Sequence, residues 1–242
     1  MKFLKINFFI FFFLNTTLIL SQSEYYGIIN YESKVNGIKA ADYLSNKRDK
    51  IKNKQLVASL DKVFLNTKSV KSTLLFTKGT GIFLVEDKMN IPKNDLAQRM
   101  NRIDAGGSKE YYYNDITKTY LIKECEALGE CFIFENKYLN WELTQETKEI
   151  NGYIVYKATR SNGKVIAWYT PSIPISFGPK GEYGLPGLIL QLDIGNIVFS
   201  AMKIVLNPKK EIKIEIPKGG KRISGEEYAK EIKKAKKSVF GN

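Results

Sequence analysis

Apolar and polar residues alternate along most of this chain with the period of two that predicts β-strands. The alternation is clearest in two hairpins. Residues 70–76 and 82–85 flank a turn that contains Gly79, and residues 153–160 and 164–170 flank Asn162-Gly163, a dipeptide that suits a type I′ turn. Further strands are predicted at 25–35, 111–113, 119–122, 132–134, 141–150, 188–193, 197–206 and 211–216.

Two stretches have helical spacing instead. Residues 41–67 predict one helix or a broken helix, and the Ser-x-x-Glu spacing of Ser224 and Glu227 predicts a short helix near the C-terminus. Residues 89–107 have no sustained period and predict a long polar loop with one helical turn at 95–101. We therefore expect a β-rich α+β fold. It would be a curved, half-barrel-like antiparallel sheet of roughly ten strands with one early helix and a short C-terminal helix.

The first 22 residues have the order of a secretory signal peptide. Lys2 and Lys5 precede an apolar run, which ends in the small or polar residues 21–23. Residues 15–17 interrupt the run and leave it shorter than the roughly 20 apolar residues of a membrane span. We expect a cleaved signal over 1–22, a β-rich domain over 23–207, and a basic strand-and-helix extension over 208–242.

The two cysteines, Cys125 and Cys131, flank a short segment that suits a hairpin tip. An even pair of cysteines in an exported protein predicts a disulfide. Two thiols without histidine make a poor zinc site, so we expect no metal.

The chain contains no histidine, which excludes His-dependent triads and His-based acid–base catalysis. A hydrolase would have to use carboxylates such as Glu142, Glu182 or Asp193, and these lie in no recognisable motif. We therefore expect a protein that is not an enzyme and has no cofactor.

The formal net charge is +13, and it is concentrated near the C-terminus. Residues 208–242 contain eleven Lys or Arg against five Glu. Such an excess suits an anionic membrane surface, an acidic partner or nucleic acid, and the alternative is a merely solvated lysine-rich surface. Because export argues against nucleic acid, we expect the basic tail to contact an anionic membrane surface.

The segment 167–192 is rich in Pro and Gly between two apolar strands. Pro171, Pro174 and Pro179 exclude a central strand over 170–184. One interpretation is a structural crossover between two strands. A phosphate-binding loop is disfavoured, because no helix begins after the segment. The other interpretation is a loop shaped around a ligand or partner, with these candidate contacts: Trp168, Tyr169, Phe177, Tyr183 and Leu185.

The hexapeptide Gly184-Leu185-Pro186-Gly187-Leu188-Ile189 resembles the motif of the GLPGLI family of exported proteins from one Gram-negative group. The flanks at 141–144, 167–170 and 178–179 are also similar to that family. The resemblance implies a signal peptide, a β-rich domain in the periplasm or outer envelope, and no set of catalytic residues. It implies a mostly structural role for the motif itself. At the level of architecture, the predicted sheet also resembles the LolA-like periplasmic carriers.

Export, many aromatic residues and the absence of a catalytic motif favour a non-enzymatic binding protein. Its partner would be a lipid or other apolar ligand, or an outer-membrane protein. The alternatives are a structural or assembly factor of the envelope and a carboxylate-dependent hydrolase.

Overall fold

A computed structural model describes residues 26–86, 95–135 and 139–240, so the predicted signal segment lies outside the described residues. The described strands form one open sheet of twelve. Their bounds are β1 Gly27–Val35, β2 Val70–Thr77, β3 Thr80–Val85, β4 Glu110–Asn114, β5 Thr119–Glu124, β6 Phe132–Glu135, β7 Glu142–Ile150, β8 Tyr153–Arg160, β9 Val165–Thr170, β10 Leu188–Ile194, β11 Ile197–Leu206 and β12 Lys221–Ile223.

The strand order is β12-β6-β5-β4-β3-β2-β1-β11-β10-β9-β8-β7. Strand β1 lies between β2 and β11 and joins an N-terminal half of consecutive hairpins to a C-terminal half. Every ladder is antiparallel except that of β12 with β6. The predicted β-rich α+β fold is confirmed, with twelve strands in place of roughly ten. Both predicted hairpins form, and Asn162 and Gly163 both have the positive φ that a type I′ turn requires.

Four α-helices accompany the sheet in the described part of the chain: α1 Gly37–Asp42, α2 Lys54–Leu65, α3 Leu96–Asp104 and α4 Gly225–Phe240. The predicted early helix is broken. A π-helical turn at Tyr43–Lys47 and a 3-10 turn at Arg48–Lys50 separate α1 from α2. Tyr43 stacks on Phe64 of α2, with ring centroids 4.7 Å apart, and this contact holds the two parts together.

Helix α3 agrees with the helical turn predicted at 95–101 and extends it to Asp104, which corrects the rest of the predicted loop over 89–107, of which 89–94 lie outside the described residues. The carboxylate of Asp95 caps the helix by accepting a hydrogen bond from the backbone N–H of Gln98 at 3.0 Å. The buried side chains of Gln98 and Asn101 donate to the Lys68 carbonyl, at 3.2 and 2.9 Å. The inner face of α3 is polar because it hydrogen-bonds a backbone, whereas its apolar residues Leu96, Met100 and Ile103, spaced at i, i+4 and i+7, are exposed.

The C-terminal extension also differs from the prediction. Residues 211–216 form no strand, and the short strand β12 follows them instead. Ile214 packs on a cluster of Tyr112, Leu121 and Ile133, so part of the alternation reflects contact with the sheet without strand pairing. Helix α4 docks on β6 through Tyr228, which stacks on Phe134 at 4.1 Å.

The predicted disulfide between Cys125 and Cys131 is confirmed. It closes the loop between β5 and β6. None of the helices in the described ranges is long and apolar enough to cross a membrane.

Candidate functional site

The Pro- and Gly-rich segment 171–187 leaves β9 and folds back onto the core of the sheet before β10 begins. Ile173, Phe177, Tyr183 and Leu185 are buried in the main hydrophobic core. Backbone hydrogen bonds fix its path, from Leu188 N to Ile173 O at 3.0 Å and from Gly184 N to Ser176 O at 2.9 Å. The excursion therefore fills the apolar side of the sheet with the protein's own side chains.

Tyr113 of β4 holds the tip of the excursion. Its hydroxyl, which is completely buried, donates to the Gly178 carbonyl at 2.7 Å and accepts from the Gly181 amide at 3.0 Å. Both backbone groups lie away from solvent and need such a partner. Burial raises the pKa of the Tyr113 hydroxyl well above its usual value, so the group stays protonated and can donate.

Two glycines allow the excursion to approach its neighbours closely. A Cβ on Gly187 would lie 2.1 Å from the Thr170 carbonyl oxygen, and one on Gly178 would lie 2.5 Å from the Ile189 side chain. Gly184 differs, because a Cβ there would come no closer than 4.0 Å to the Leu139 carbonyl. Of the two motif glycines, Gly187 is thus required by space and Gly184 by its φ of +90°.

A buried ion pair joins the excursion to the end of β8. The Arg160 guanidinium donates to both carboxylate oxygens of Glu182, with Nε 2.9 Å from Oε2. Burial raises the pKa of the Glu182 carboxyl, and the Arg160 charge opposes this effect. The guanidinium also lies 5.4 Å from the ring centroid of Trp141. This geometry fixes the excursion to the last third of the sheet.

Tyr183 lies between two aromatic residues. Its ring stacks on Tyr120, with centroids 3.7 Å apart, and its carbonyl accepts a hydrogen bond from the Trp141 indole at 2.8 Å. Nearby, Ser176 donates to the Asp115 carboxylate. These contacts all connect parts of the protein to one another, which is the pattern of a structural crossover.

The five predicted contact residues therefore occupy different environments. Phe177, Tyr183 and Leu185 belong to the excursion and are core side chains, as is Tyr169 of β9. Trp168 projects from the other face of β9, half-buried, with the Lys148 ammonium 4.1 Å from its ring centroid. The structure brings Tyr169, Phe177, Tyr183 and Leu185 together in one core, and Trp168 is only partly buried against it. Their role in ligand contact stays a prediction.

The three candidate carboxylates have separate partners. Glu182 pairs with Arg160, Asp193 accepts from the Asn36 amide at 2.6 Å, and Glu142 contacts Thr159 at 3.5 Å. Across the residues that the structure describes, no group of three or more His, Cys, Asp or Glu side chains could hold a metal ion.

The surface that sequence reasoning missed lies on the helices. We call it the helical apolar surface, formed by α1, the turns after it, α2 and α3. Leu56 is 48% exposed, Leu96 62% and Met100 46%. A groove of about 630 Å³ runs between α2 and α3 and is lined by Ser59, Lys62, Val63, Asn66, Asp95, Leu96, Ala97 and Met100. The other exposed apolar residues of these helices and turns are Ile38, Leu44, Leu65 and Ile103.

A signal for this surface exists in the sequence. Leu56, Leu60 and Val63 of α2 recur at i, i+4 and i+7 and define an apolar helical stripe. Such a stripe normally packs on a core, yet α2 contains no buried residue. Only the structure shows that Leu60 and Val63 of this stripe are half-buried while Leu56 is left exposed by the described parts of the chain.

Comparisons with known proteins give one match to the Pro- and Gly-rich segment and others to the fold as a whole. Residues 160–191 match the model of a family described as a protein of unknown function (Porph_ging). The match begins at Arg160 and includes the whole hexapeptide motif, which fits the resemblance to exported GLPGLI-type proteins. No curated protein matches the chain.

Among solved structures, the chain is similar to two crystal forms titled PNGF-II. In the P21 form the identity is 17% and the TM-score 0.51, and in the C2 form 16% and 0.51. Each comparison covers 88% of this chain but 34% of the PNGF-II chain. The chain thus spans about a third of the length of these proteins, and at this identity the likeness concerns the fold alone. The resemblance to LolA-like carriers stays a prediction.

Proposed function

We propose that this chain is an exported, non-enzymatic binding protein of the bacterial envelope that docks a protein partner on its helical apolar surface. The observation that carries the proposal is the exposure of Leu96 and Met100, which line the groove between α2 and α3, and of Leu56 on α2. An exposed groove that is lined by apolar side chains and flanked by polar ones is typical of interaction sites.

The filled core of the sheet favours an external site. A carrier of the LolA type would hold its ligand against the apolar face of the sheet, where the excursion 171–187 already packs. Phe177, Tyr183 and Leu185 occupy that space with less than a few per cent of their surface exposed. Binding there would require the excursion to leave its hydrogen bonds to Tyr113 and β10.

The extent of the helical apolar surface favours a protein over a small apolar ligand. The exposed residues extend beyond the groove to Ile38, Leu44 and Ile103, on all parts of the helical layer. This arrangement suits an amphipathic helix, which places apolar residues in a groove and polar residues on its rim.

The charge of the layer specifies the partner further. Residues 37–68 contain eight Lys or Arg and three Asp. All three Asp side chains lie in ion pairs within the layer, including Asp61 with Arg48 at 2.9 Å. The uncompensated lysines favour a partner segment with acidic residues beside its apolar face.

Three features support the envelope and the absence of catalysis. The disulfide favours an oxidising compartment. Residues 160–191 match a family model, and the hexapeptide motif within them resembles that of exported proteins. The candidate carboxylates have structural partners.

A scaffold or assembly factor would use the same docking surface, so it differs from the proposal only in the consequence of binding.

Site-specific photo-crosslinking in intact cells tests the proposal. A photoreactive amino acid replaces Met100 in the groove, and a matched variant carries it at Ile154, which is 62% exposed on β8. We expect one discrete protein adduct from position 100 and none of that size from position 154. The partner identified by mass spectrometry then supplies a peptide for binding measurements with the purified protein.

The peptide should contain an apolar face with acidic flanks, and Leu96→Ser should weaken its binding by about tenfold or more, as expected for a central apolar contact worth about 2 kcal/mol. Lys157→Ala, far along the chain on β8, should leave the affinity unchanged. A lipid adduct at position 100, equal adducts at both positions, or no adduct would overturn the proposal.

A further inference from the structure

Helix α4 has two faces with different chemistry. Tyr228, Ile232 and Ala235 are half-buried and recur at i, i+4 and i+7, so they form the face that docks on the sheet. Lys230, Lys233, Lys234 and Lys237 recur at i, i+3, i+4 and i+7, and all four are exposed. Residues with this spacing share one side of a helix, and the lysines lie opposite the docking face.

The helix is held firmly enough to present this lysine face in one orientation. The Tyr228 hydroxyl donates to the buried Glu124 carboxylate at 2.7 Å, and its ring stacks on Phe134. Ser224 and Glu227 form a capping box, with bonds of 2.8 and 3.1 Å, which fixes the first turn. Strand β12 adds backbone pairing with β6 immediately before the helix.

The charge of the lysine face is largely uncompensated. Lys234 pairs with Glu231 at 2.7 Å, whereas within the described residues Lys230, Lys233 and Lys237 have no ion pair. The acidic residues Glu226 and Glu227 lie in the first turn, where the helix dipole favours them. From Lys230 to Lys237 the helix rises about 10 Å along its axis.

We propose that this lysine face is a docking surface for the anionic headgroups of a lipid bilayer. Lysine is a compact charge on a flexible stem, which suits mobile phosphates better than the fixed geometry that arginine favours. Between Lys230 and Lys237 this face contains no large apolar side chain, so the contact there is electrostatic, reversible and sensitive to salt. The surface is separate from the helical apolar surface, so the two proposals stand or fall independently.

Vesicle co-sedimentation with the purified mature protein tests the proposal. The vesicles contain phosphatidylglycerol and phosphatidylethanolamine, or phosphatidylcholine alone as the uncharged reference. We expect binding to the anionic vesicles at an ionic strength of about 0.1 M and its loss at about 1 M. We expect no binding to phosphatidylcholine.

The decisive variant changes Lys230, Lys233, Lys234 and Lys237 to Gln. The matched control changes four exposed lysines of the preceding segment, Lys209, Lys210, Lys213 and Lys218, and so removes the same charge. At about fivefold per lysine, the first variant should lose binding by two orders of magnitude or more, while the control loses much less.

All eight side chains are exposed, so we expect both variants to fold, and circular dichroism verifies this. Equal loss in the two variants would mean that net charge alone drives binding and would overturn the lysine face. Absence of binding to anionic vesicles, or equal binding to phosphatidylcholine, would overturn it as well.

Discussion

Arg160 and Glu182 form an ion pair that is almost completely removed from water. The side chains are 18% and 5% exposed, and two hydrogen bonds join the guanidinium to the carboxylate. Arg160 ends β8 and Glu182 lies in the middle of the excursion, so the pair connects segments 22 residues apart. Its removal therefore tests how firmly the excursion is fixed.

Arg160→Met should lower the free energy of unfolding by about 3–5 kcal/mol, because it leaves a buried carboxylate without its counter-charge. Replacing both residues, with Arg160→Met and Glu182→Leu, should restore much of the loss. Urea denaturation measures both effects. The matched control is Lys157→Met, which breaks the more exposed pair with Glu146 and should cost less than about 1 kcal/mol. A similar loss from both single variants would contradict this account.

The loss caused by Arg160→Met should depend on pH. Burial already raises the pKa of the Glu182 carboxyl above its usual 4.5, and removal of Arg160 raises it further. A group with a raised pKa in the folded state stabilises the fold below its unfolded pKa, and this stability is lost as pH rises through the folded pKa. The loss of unfolding free energy in Arg160→Met, relative to the unchanged protein, should therefore be larger near pH 7.5 than near pH 5. Each unit by which the pKa of Glu182 is raised corresponds to about 1.4 kcal/mol.

Urea denaturation of both proteins at the two pH values measures this dependence. The double variant Arg160→Met with Glu182→Gln has no carboxyl at this position, so its deficit should change little with pH. A deficit of Arg160→Met that is constant or grows on acidification would exclude the buried carboxylate as its source.

The two glycines of the hexapeptide should respond differently to alanine. Gly187→Ala places a methyl group against the Thr170 backbone, which cannot move without disturbing the end of β9, so we expect a loss of several kcal/mol or failure to fold. Gly184→Ala meets open space and pays only for its positive φ, about 1 kcal/mol. Thermal unfolding of the two variants provides the comparison. Equal losses would show that conformational freedom alone explains both positions.

The hairpins could be predicted because each depends on neighbouring residues. Asn162-Gly163 specifies its own turn, and the alternation of residues 70–76 specifies which side chains face the core. The position of β1 between β2 and β11 could not be predicted, since nothing local selects a partner more than 160 residues away. Helix α3 was predicted only as a single turn for a different reason, because Gln98 and Asn101 make polar contacts on its buried side.

The candidate site was predictable in kind but not in detail. Pro171, Pro174 and Pro179 correctly excluded a central strand, whereas Leu185, predicted as a candidate contact, is buried in the core. The close approach of Gly187 to Thr170 depends on where β9 ends, which is a property of the folded sheet. To predict the helical apolar surface, one must know that the rest of the described chain does not cover it. An alternating or helical sequence pattern does not contain that information.

Tyr113 should contribute more through its hydroxyl than a tyrosine with one hydrogen bond. Tyr113→Phe removes the hydrogen bonds of the hydroxyl to the Gly178 carbonyl and from the Gly181 amide, and we expect a loss of about 2–3 kcal/mol. Tyr31→Phe removes one bond, to the Ile189 carbonyl at 2.6 Å, and should cost about half as much. Hydrogen exchange at the Gly181 amide should accelerate in the first variant only. Equal stability of the two variants would show that water or the backbone replaces the lost bonds.

The disulfide should stabilise the protein locally. It closes a loop with a sequence separation of 6, so replacing Cys125 and Cys131 together by Ser should lower the free energy of unfolding by about 2–3 kcal/mol. The Glu124 carboxylate still accepts hydrogen bonds from the amides of Glu126 and Ala127, at 2.8 and 3.0 Å, which keep the start of the loop in place. Hydrogen exchange should therefore accelerate in residues 125–131 and in α4, which Tyr228 tethers to Glu124. Exchange in β1 and β11 should change only in proportion to global stability. Faster exchange confined to the centre of the sheet would contradict a local role.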